Sequence, residues 1–329
     1  MPRPMLLLAA LLLLAAAPLH AACTGTDLIA ALPPAERAGL EAEAARQPFA
    51  QGNFWRATRG TRQVVVAGTY HLDDPRHAAS MQRLSPLIRD ASALLVEASP
   101  EEEARLKDAI ARDPKLMLSS GPTLPERLSA SEWADLSAAL RARGIPAFMA
   151  ARFAPWYVSV TLALPPCAID QARAPNGLDR RAIEAAQAAG VPIVSLEPWD
   201  TVLKLFGAMT EEQQIGMIRT TLPLEPRAAD MSVTLADRYF AGESRLVWEY
   251  MQLESQRLPG QTPEAAEAEF HQMEEMIILS RNRAWVPAIE AASAKGPVVV
   301  AVGALHLPGP EGVLALLNRA GFRIEPLTP

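Results

Sequence analysis

The sequence predicts an α/β protein, with a central, largely parallel or mixed sheet flanked by helices and carrying a large helical insertion. Three observations lead there. Short apolar runs alternate with amphipathic stretches at helical spacing, the pattern of strand–helix–strand units. Two of those runs carry nearly the same string: "VVVAGTYHL" over Val64–Leu72 and "VVVAVGALHL" over Val298–Leu307. Each breaks at a glycine, Gly68 or Gly303, and places His71 or His306 three residues later. Finally, the stretch from Thr201 to Ala294 is almost wholly helix-like and too long for a crossover, which makes it an insertion packed over one face or one end of the sheet.

The elements follow in order. Asp27–Ala45 reads as helical, with Pro33-Pro34 near its start. "NFWRATRGTRQVVVAGTYH" reads as a hairpin around Arg59-Gly60-Thr61. "PRHAASMQRLSPLIRDA" is amphipathic at helical spacing and leads to "SALLVEASP", a short strand ending in Glu97. "PEEEARLKDAIARD" and "SASEWADLSAALRARG" are helical patterns, and "IPAFMAARF" is another short apolar run. "LDRRAIEAAQAAG" is a helix capped by Gly190, and "VPIVSLEPWD" is the next strand. After the helical insertion, "GPVVVAVGALHL", "GPEGVLALLNRAG" and "FRIEPL" read as strand, helix and strand.

At 329 residues the chain can bury a substantial core. Hydrophobic residues are 50%, charged residues 21% and the net charge −6, values of an ordinary globular protein. No basic run occurs and aromatics are 5%, so nucleic-acid binding lacks both its electrostatic footprint and its stacking residues. The start, "MPRPMLLLAALLLLAAAPLHAAC", has the order of a secretory signal: Arg3, an apolar run from Met5 to Ala17, then small residues at Ala21 and Ala22. Residues 1–21 are therefore expected to leave as a signal peptide, with 22–329 as one domain in the periplasm or outside the cell. The run is shorter than the ~20 apolar residues of a membrane span, and no second long run exists, so an integral membrane protein is not expected. Two cysteines, Cys23 and Cys167, suit a single disulfide in an oxidising compartment. Lipidation of Cys23 is the competing reading, although His20 stands where a lipoprotein signal has a branched aliphatic residue.

The chemistry is positional. His71, Glu97, Glu197 and His306 fall at the ends of four separate predicted strands. In open parallel sheets ligands bind outside the strands' carboxyl ends. Two imidazoles and two carboxylates gathered there could hold a divalent metal or perform acid–base work without one. Gly68 and Gly303 are read as sharp bends that aim each His back toward its strand end. The bland reading of each residue alone is a turn or capping role; Ser99 suffices to cap the helix after Glu97, and only the repetition of the pattern favours a site. Arg281, Asn282 and Arg283 lie on the last long helix before the His306 strand and could face the site. Asp179 reads as an N-cap, while His77 and His271 read as surface residues on helices. No G-x-S-x-G, H-E-x-x-H, P-loop or G-x-G-x-x-G is present.

"VVVAGTYHL", "LLVEASP", "GLDRRAIEAAQAAGVPIVSLEPWD", "SRNRAWVPAIE" and "VVVAVGALHLPGPEGVLALLNRAGFRIEPL" together resemble the TraB/GumN family, in the family's order, over roughly residues 53 to 327. That family is related to the Tiki metalloproteases and, more distantly, to the erythromycin esterase and ChaN-like proteins. The resemblance implies a paired G-x-x-H core with a carboxylate, and His71, Glu97 and His306 match it as the expected metal ligands. Tiki relatives imply divalent-metal-dependent peptidase chemistry with Mn or Co, esterase relatives imply hydrolysis with the same set, and ChaN-like relatives imply haem binding. One position departs: the family's usual Glu-Arg-Asn is Ser280-Arg281-Asn282 here.

The expectation is a secreted hydrolase of peptide-like or small-molecule substrates that depends on Mn, Co or Zn. Its ligands are His71, Glu97 and His306, and Glu97, Glu197, Arg281 and Asn282 serve the chemistry. The alternatives are a non-catalytic protein binding haem, metal or a polysaccharide-related partner, and a metal-free acid–base hydrolase.

Overall fold

A computed structural model describes residues 23–258, 260 and 262–327. The expected signal segment, 1–21, lies outside the described residues. Six strands form one mixed sheet: β1 (Phe54–Arg59), β2 (Arg62–Thr69), β3 (Ala93–Val96), β4 (Ile193–Ser195), β5 (Val298–Gly303) and β6 (Arg323–Pro326). They lie in the order β4-β3-β5-β2-β1-β6. β2, β5, β3 and β4 run parallel to their neighbours, whereas β1 is antiparallel to both β2 and β6. The hairpin turns at Gly60, whose φ of +59° suits glycine.

The central strands bury both faces, as their unbroken valine runs require. Val65, Ala67, Val299 and Ala301 face the helices His77–Arg89 and Leu178–Ala189 through Leu84, Ile88, Ala182 and Ala186. On the other face, Val64, Val66, Val300 and Val302 meet Trp285, Ile289, Leu314 and Leu317 of the helices Ser280–Ser293 and Val313–Arg319. β2 and β5 lie side by side with Val64 opposite Val298, which sets Gly68 opposite Val302 and Thr69 opposite Gly303. The two echoed strings are therefore offset by one residue at their glycines. Because side chains alternate across a sheet, that offset turns Gly68 and Gly303 to opposite faces.

The helical layer draws on two segments of chain. Helices between Leu124 and Leu162 pack on Ile215 and Ile218. The N-terminal helix Pro34–Ala45 packs on Leu246, Val247 and Tyr250. "IPAFMAARF" forms a helical turn, Ala147–Ala150, rather than a strand; only Phe153 bridges Leu118. Its apolar residues serve the helical layer, where Ala150 is buried.

Cys23 is disulfide-bonded to Cys167 across 144 residues. Closing so long a loop stabilises the fold by about 2–5 kcal/mol, and it occupies the sulfur that a lipid anchor on Cys23 needs. Among the described residues no helix is long and apolar enough to cross a membrane.

Candidate functional site

The sheet brings His71, Glu97, Glu197 and His306 together just beyond the carboxyl ends of β2, β3, β4 and β5, four consecutive parallel strands. The β3–β4 ladder continues past its strands. Leu196 N–H donates to the Val96 carbonyl at 2.8 Å and Glu197 N–H to the Glu97 carbonyl at 3.1 Å, which holds the two glutamates as neighbours.

Arg281 joins them. Its Nε and Nη2 donate to Glu197 at 2.6 and 3.0 Å, and Nη2 also donates to Glu97 Oε2 at 2.7 Å. The fork is aimed by its own helix, because Nη1 donates to the Ile277 carbonyl at 3.0 Å inside a π-helical turn, Glu275–Leu279. Such turns recur where a helix must re-aim a functional side chain. Trp285 donates its indole N–H to Glu197 Oε1 at 2.9 Å and packs its ring against His306 at 4.4 Å between centroids. Burial pushes the Arg281 guanidinium down, but the two carboxylates outweigh it and raise its pKa.

His306 is 4% exposed. Asn282 donates through Nδ2 to the His306 and Glu311 carbonyls, at 3.3 and 2.9 Å, so its Oδ1 must be the atom 2.7 Å from His306 Nδ1. That fixes the tautomer: Nδ1 carries the proton and Nε2, 3.3 Å from Arg281 Nη1, carries the lone pair. Burial, reinforced by Arg281, pushes the imidazole down to about 4.

His71 has the opposite surroundings. Its side chain is 62% exposed, and Nδ1 lies 3.3 Å from Asp179 Oδ1. Desolvation in the cleft pulls its pKa down, but Asp179 and Glu97 together outweigh that and raise it to about 9. Because the ring is open to water, solvent screening trims this rise while leaving its direction. Glu97 accepts the Gly303 backbone N–H at 2.7 Å. Burial pushes its pKa up, while the charges of His306, His71 and Arg281 and the Gly303 hydrogen bond hold it at about 2. At neutral pH His306 is uncharged, so His71, Arg281 and Gly303 N–H carry that effect.

The groups converge over Gly303. A Cβ there would stand 3.3 Å from Glu97 Oε1, 3.5 Å from His306 Cδ2 and 3.6 Å from His71 Nε2. Gly68 plays another part: its Cβ would strike Ala304 and Leu307 at 3.0–3.1 Å. Neither glycine has a positive φ. The expected sharp bends are thus replaced by close approach, of a neighbouring strand end at Gly68 and of the site itself at Gly303.

Other expectations change. Asp179 is not the N-cap, which is Gly177; two residues further on, its carboxylate turns to His71. His77 is fully buried rather than on the surface, with Nε2 3.0 Å from the Leu72 carbonyl and its ring among Tyr70, Tyr239 and Phe240. As first residue of its helix it faces the loop before it, which helical spacing cannot register. Arg283 points away to Glu275 and Glu311, and His271 is on an exposed face. Ser280 returns its hydroxyl to the Met276 carbonyl at 3.1 Å. Asp179, Trp285 and the Gly303 N–H join the site in roles that the sequence pattern does not assign them.

The donor set does not suit a divalent ion as arranged. Glu97 and Glu197 are bridged by a guanidinium, and His71 is held toward its protonated form, whereas a ligand must offer a free lone pair. Among the described residues, no three His, Cys, Asp or Glu side chains form a group that could hold a metal.

Two imidazoles, two carboxylates and an arginine are thus gathered beyond the parallel strands of an open α/β sheet, the place where ligands bind in folds of this class. The chain belongs to the TraB/PrgY/gumN family, whose sequence model matches residues 53–326. No curated protein matches it.

Proposed function

We propose that the chain is a hydrolase of ester or amide bonds, peptide-like substrates included, that works in the crevice by general acid–base catalysis. The observation that carries this reading is the locked tautomer of His306: its Nε2 is the imidazole nitrogen that Asn282 keeps free of a proton. That nitrogen takes a proton from an attacking water once Arg281 Nη1, 3.3 Å from it, turns away. His71, held toward its charged form by Asp179, gives one to the leaving group. Arg281, beside His306 and hydrogen-bonded to Glu97, supplies positive charge for a developing oxyanion. Two titratable groups pushed apart by their surroundings are the usual mark of an acid–base pair. The protein acts outside the cytoplasm, a reading supported by the leader-like sequence and the disulfide.

A divalent ion is the second reading, favoured by the convergence of His71, Glu97 and His306 over Gly303. It requires Arg281 to leave Glu97. One experiment separates the two. Chelator-treated protein is assayed against aryl esters and a fluorogenic peptide library, and Mn, Co and Zn are titrated calorimetrically. Turnover that survives chelation and vanishes in His306→Ala supports the acid–base reading. Stoichiometric metal uptake that restores lost turnover replaces it with the metal reading. A Soret band on adding haem, with no turnover anywhere, would sink both.

A further inference from the structure

A second cavity lies behind the His306 loop, on the side of the helical layer. It measures about 420 Å³ and is separate from the crevice, since none of the crevice side chains lines it. That volume is within the range that holds small organic ligands. Ile278 and Leu279 of the π-helical turn and Leu305 of the loop give it apolar walls, while Trp248, Gln47 and Gln252 give it polar ones.

The polar groups are unspent. Trp248 is 5% exposed, yet among the described residues its indole N–H meets no acceptor, and the atom is not one of those sealed from solvent. It therefore keeps contact with solvent, and Trp248 is part of the cavity wall. Buried indole N–H groups ordinarily find a partner. The half-buried carboxamides of Gln47 and Gln252 likewise make no hydrogen bond among the described residues. The charged groups of the lining are paired instead: Arg245 with Glu249 at 2.7 Å, Glu274 with Arg245 at 3.6 Å and with His271 at 3.5 Å, and Glu311 with Arg283.

We propose that this cavity is a binding site for an uncharged amphiphile: an apolar or aromatic body carrying carbonyl or ether oxygens that accept from Trp248, Gln47 and Gln252. The site also reaches the crevice. Glu311 lines the cavity, and its carbonyl accepts from Asn282, the residue that fixes His306. Leu305 lines it too, one residue before His306. A ligand here rests against the segment whose Glu311 carbonyl holds Asn282. The proposal stands whether or not the crevice hydrolyses anything.

The test uses the disulfide-bonded protein and Prodan, an uncharged naphthalene ketone whose emission reports both apolar surroundings and donation to its carbonyl. Saturable one-to-one binding is expected. Trp248→Phe should weaken it about three- to tenfold and shift the emission to the blue, the cost of one lost donor. Leu305→Trp should abolish it by filling the space, while Glu97→Gln, in the crevice, should leave it unchanged. Gln252→Leu, on a half-buried position, gives the same reading as Trp248→Phe if that variant folds poorly. Absence of saturable binding, or binding indifferent to Trp248, Gln252 and Leu305, overturns the proposal. Loss in Glu97→Gln alone would place the probe in the crevice and overturn it equally.

Discussion

The two G-x-x-H strand ends look alike in sequence and are opposites in the fold. After β2, His71 is open to water and paired with a carboxylate, Asp179. After β5, His306 is sealed and paired with an amide, Asn282. The first imidazole is held above its ordinary pKa and the second below it. The source of the difference is small. Aligning the valines of β2 and β5 puts Gly68 beside Val302 and Gly303 beside Thr69. One extra residue before the second glycine turns it to the other face, against Glu97 and both imidazoles, while the first meets only Ala304 and Leu307. A repeated motif thus specifies a shared position at the sheet's edge; the neighbours supplied by distant helices specify protonation.

The comparison depends most on Arg281, the cation that bridges both glutamates beside His306. Arg281→Ala leaves two half-buried carboxylates without their cation, held only by the Gly303 and Trp285 N–H groups. Chemical denaturation should show a loss of about 2–3 kcal/mol, below that of a fully buried pair because both carboxylates keep some contact with water. A loss below 1 kcal/mol would mean that the glutamates are solvated in the protein and that His306 does not sit in the environment described.

Gly303→Ala tests the other half of the offset. The added methyl enters the space shared by Glu97, His306 and His71, so ligand binding or turnover in the crevice should fall about 100-fold. Stability should change little, because Glu97 Oε1, the nearest atom at 3.3 Å, needs to give only slightly. The same substitution at Gly68 should do the reverse: it meets the Ala304 backbone at 3.0 Å and should cost stability, about 1–3 kcal/mol. Equal outcomes at the two glycines would erase the distinction between them.

Much of this arrangement was legible beforehand, and the limits are instructive. The ends of four apolar runs identified His71, Glu97, Glu197 and His306, because strands in a parallel sheet must share an exit edge. Arg281 and Asn282 were named, together with Arg283, for their place on the last helix before the His306 strand, and no local pattern tells a buried helix charge from a solvated one. Asp179 carried a misleading local signal: it sits beside a helix start, where caps occur, and only the fold shows that Gly177 takes that place. His77 failed for the same reason, its burial being decided by Tyr239 and Phe240 from a helix more than 150 positions away. Metal ligation was the chemically reasonable reading of two His and a Glu. What sets an acid–base reading beside it is the guanidinium between the carboxylates, and that is a tertiary fact.

The pH dependence of stability separates the two histidines further. His306 is depressed to about 4 in the fold, against about 6.5 when unfolded. Between those values the unfolded chain takes up a proton that the folded one refuses, so stability falls as pH drops from about 6.5 to 4, by about 2–3 kcal/mol. His71 works the other way. Its raised pKa contributes stability that is whole below about 6.5 and is lost as pH climbs toward about 9, a smaller effect because water screens the pair. Denaturation across pH should show the acid limb flatten in His306→Gln. An acid limb unchanged by that substitution would remove His306 as its cause.

Exchanging the partners gives the finest test. Asn282→Asp gives His306 a carboxylate like that of His71, and should move its titration from about 4 to about 6 or higher. It also removes the Nδ2 donations to the His306 and Glu311 carbonyls, so a stability loss of about 1–3 kcal/mol accompanies it. Asp179→Asn gives His71 an amide like that of His306, and should lower its pKa toward the ordinary value. That effect is the smaller, because His71 stays exposed and Glu97 still faces it. Proton resonances of the two rings, followed against pH, read both changes directly. If His71 titrates alike in wild type and Asp179→Asn, its character comes from the open cleft and Glu97 alone. Asp179 would then return to being a helix-terminal residue with an incidental neighbour, and the opposition between the two imidazoles would rest on burial rather than on their partners.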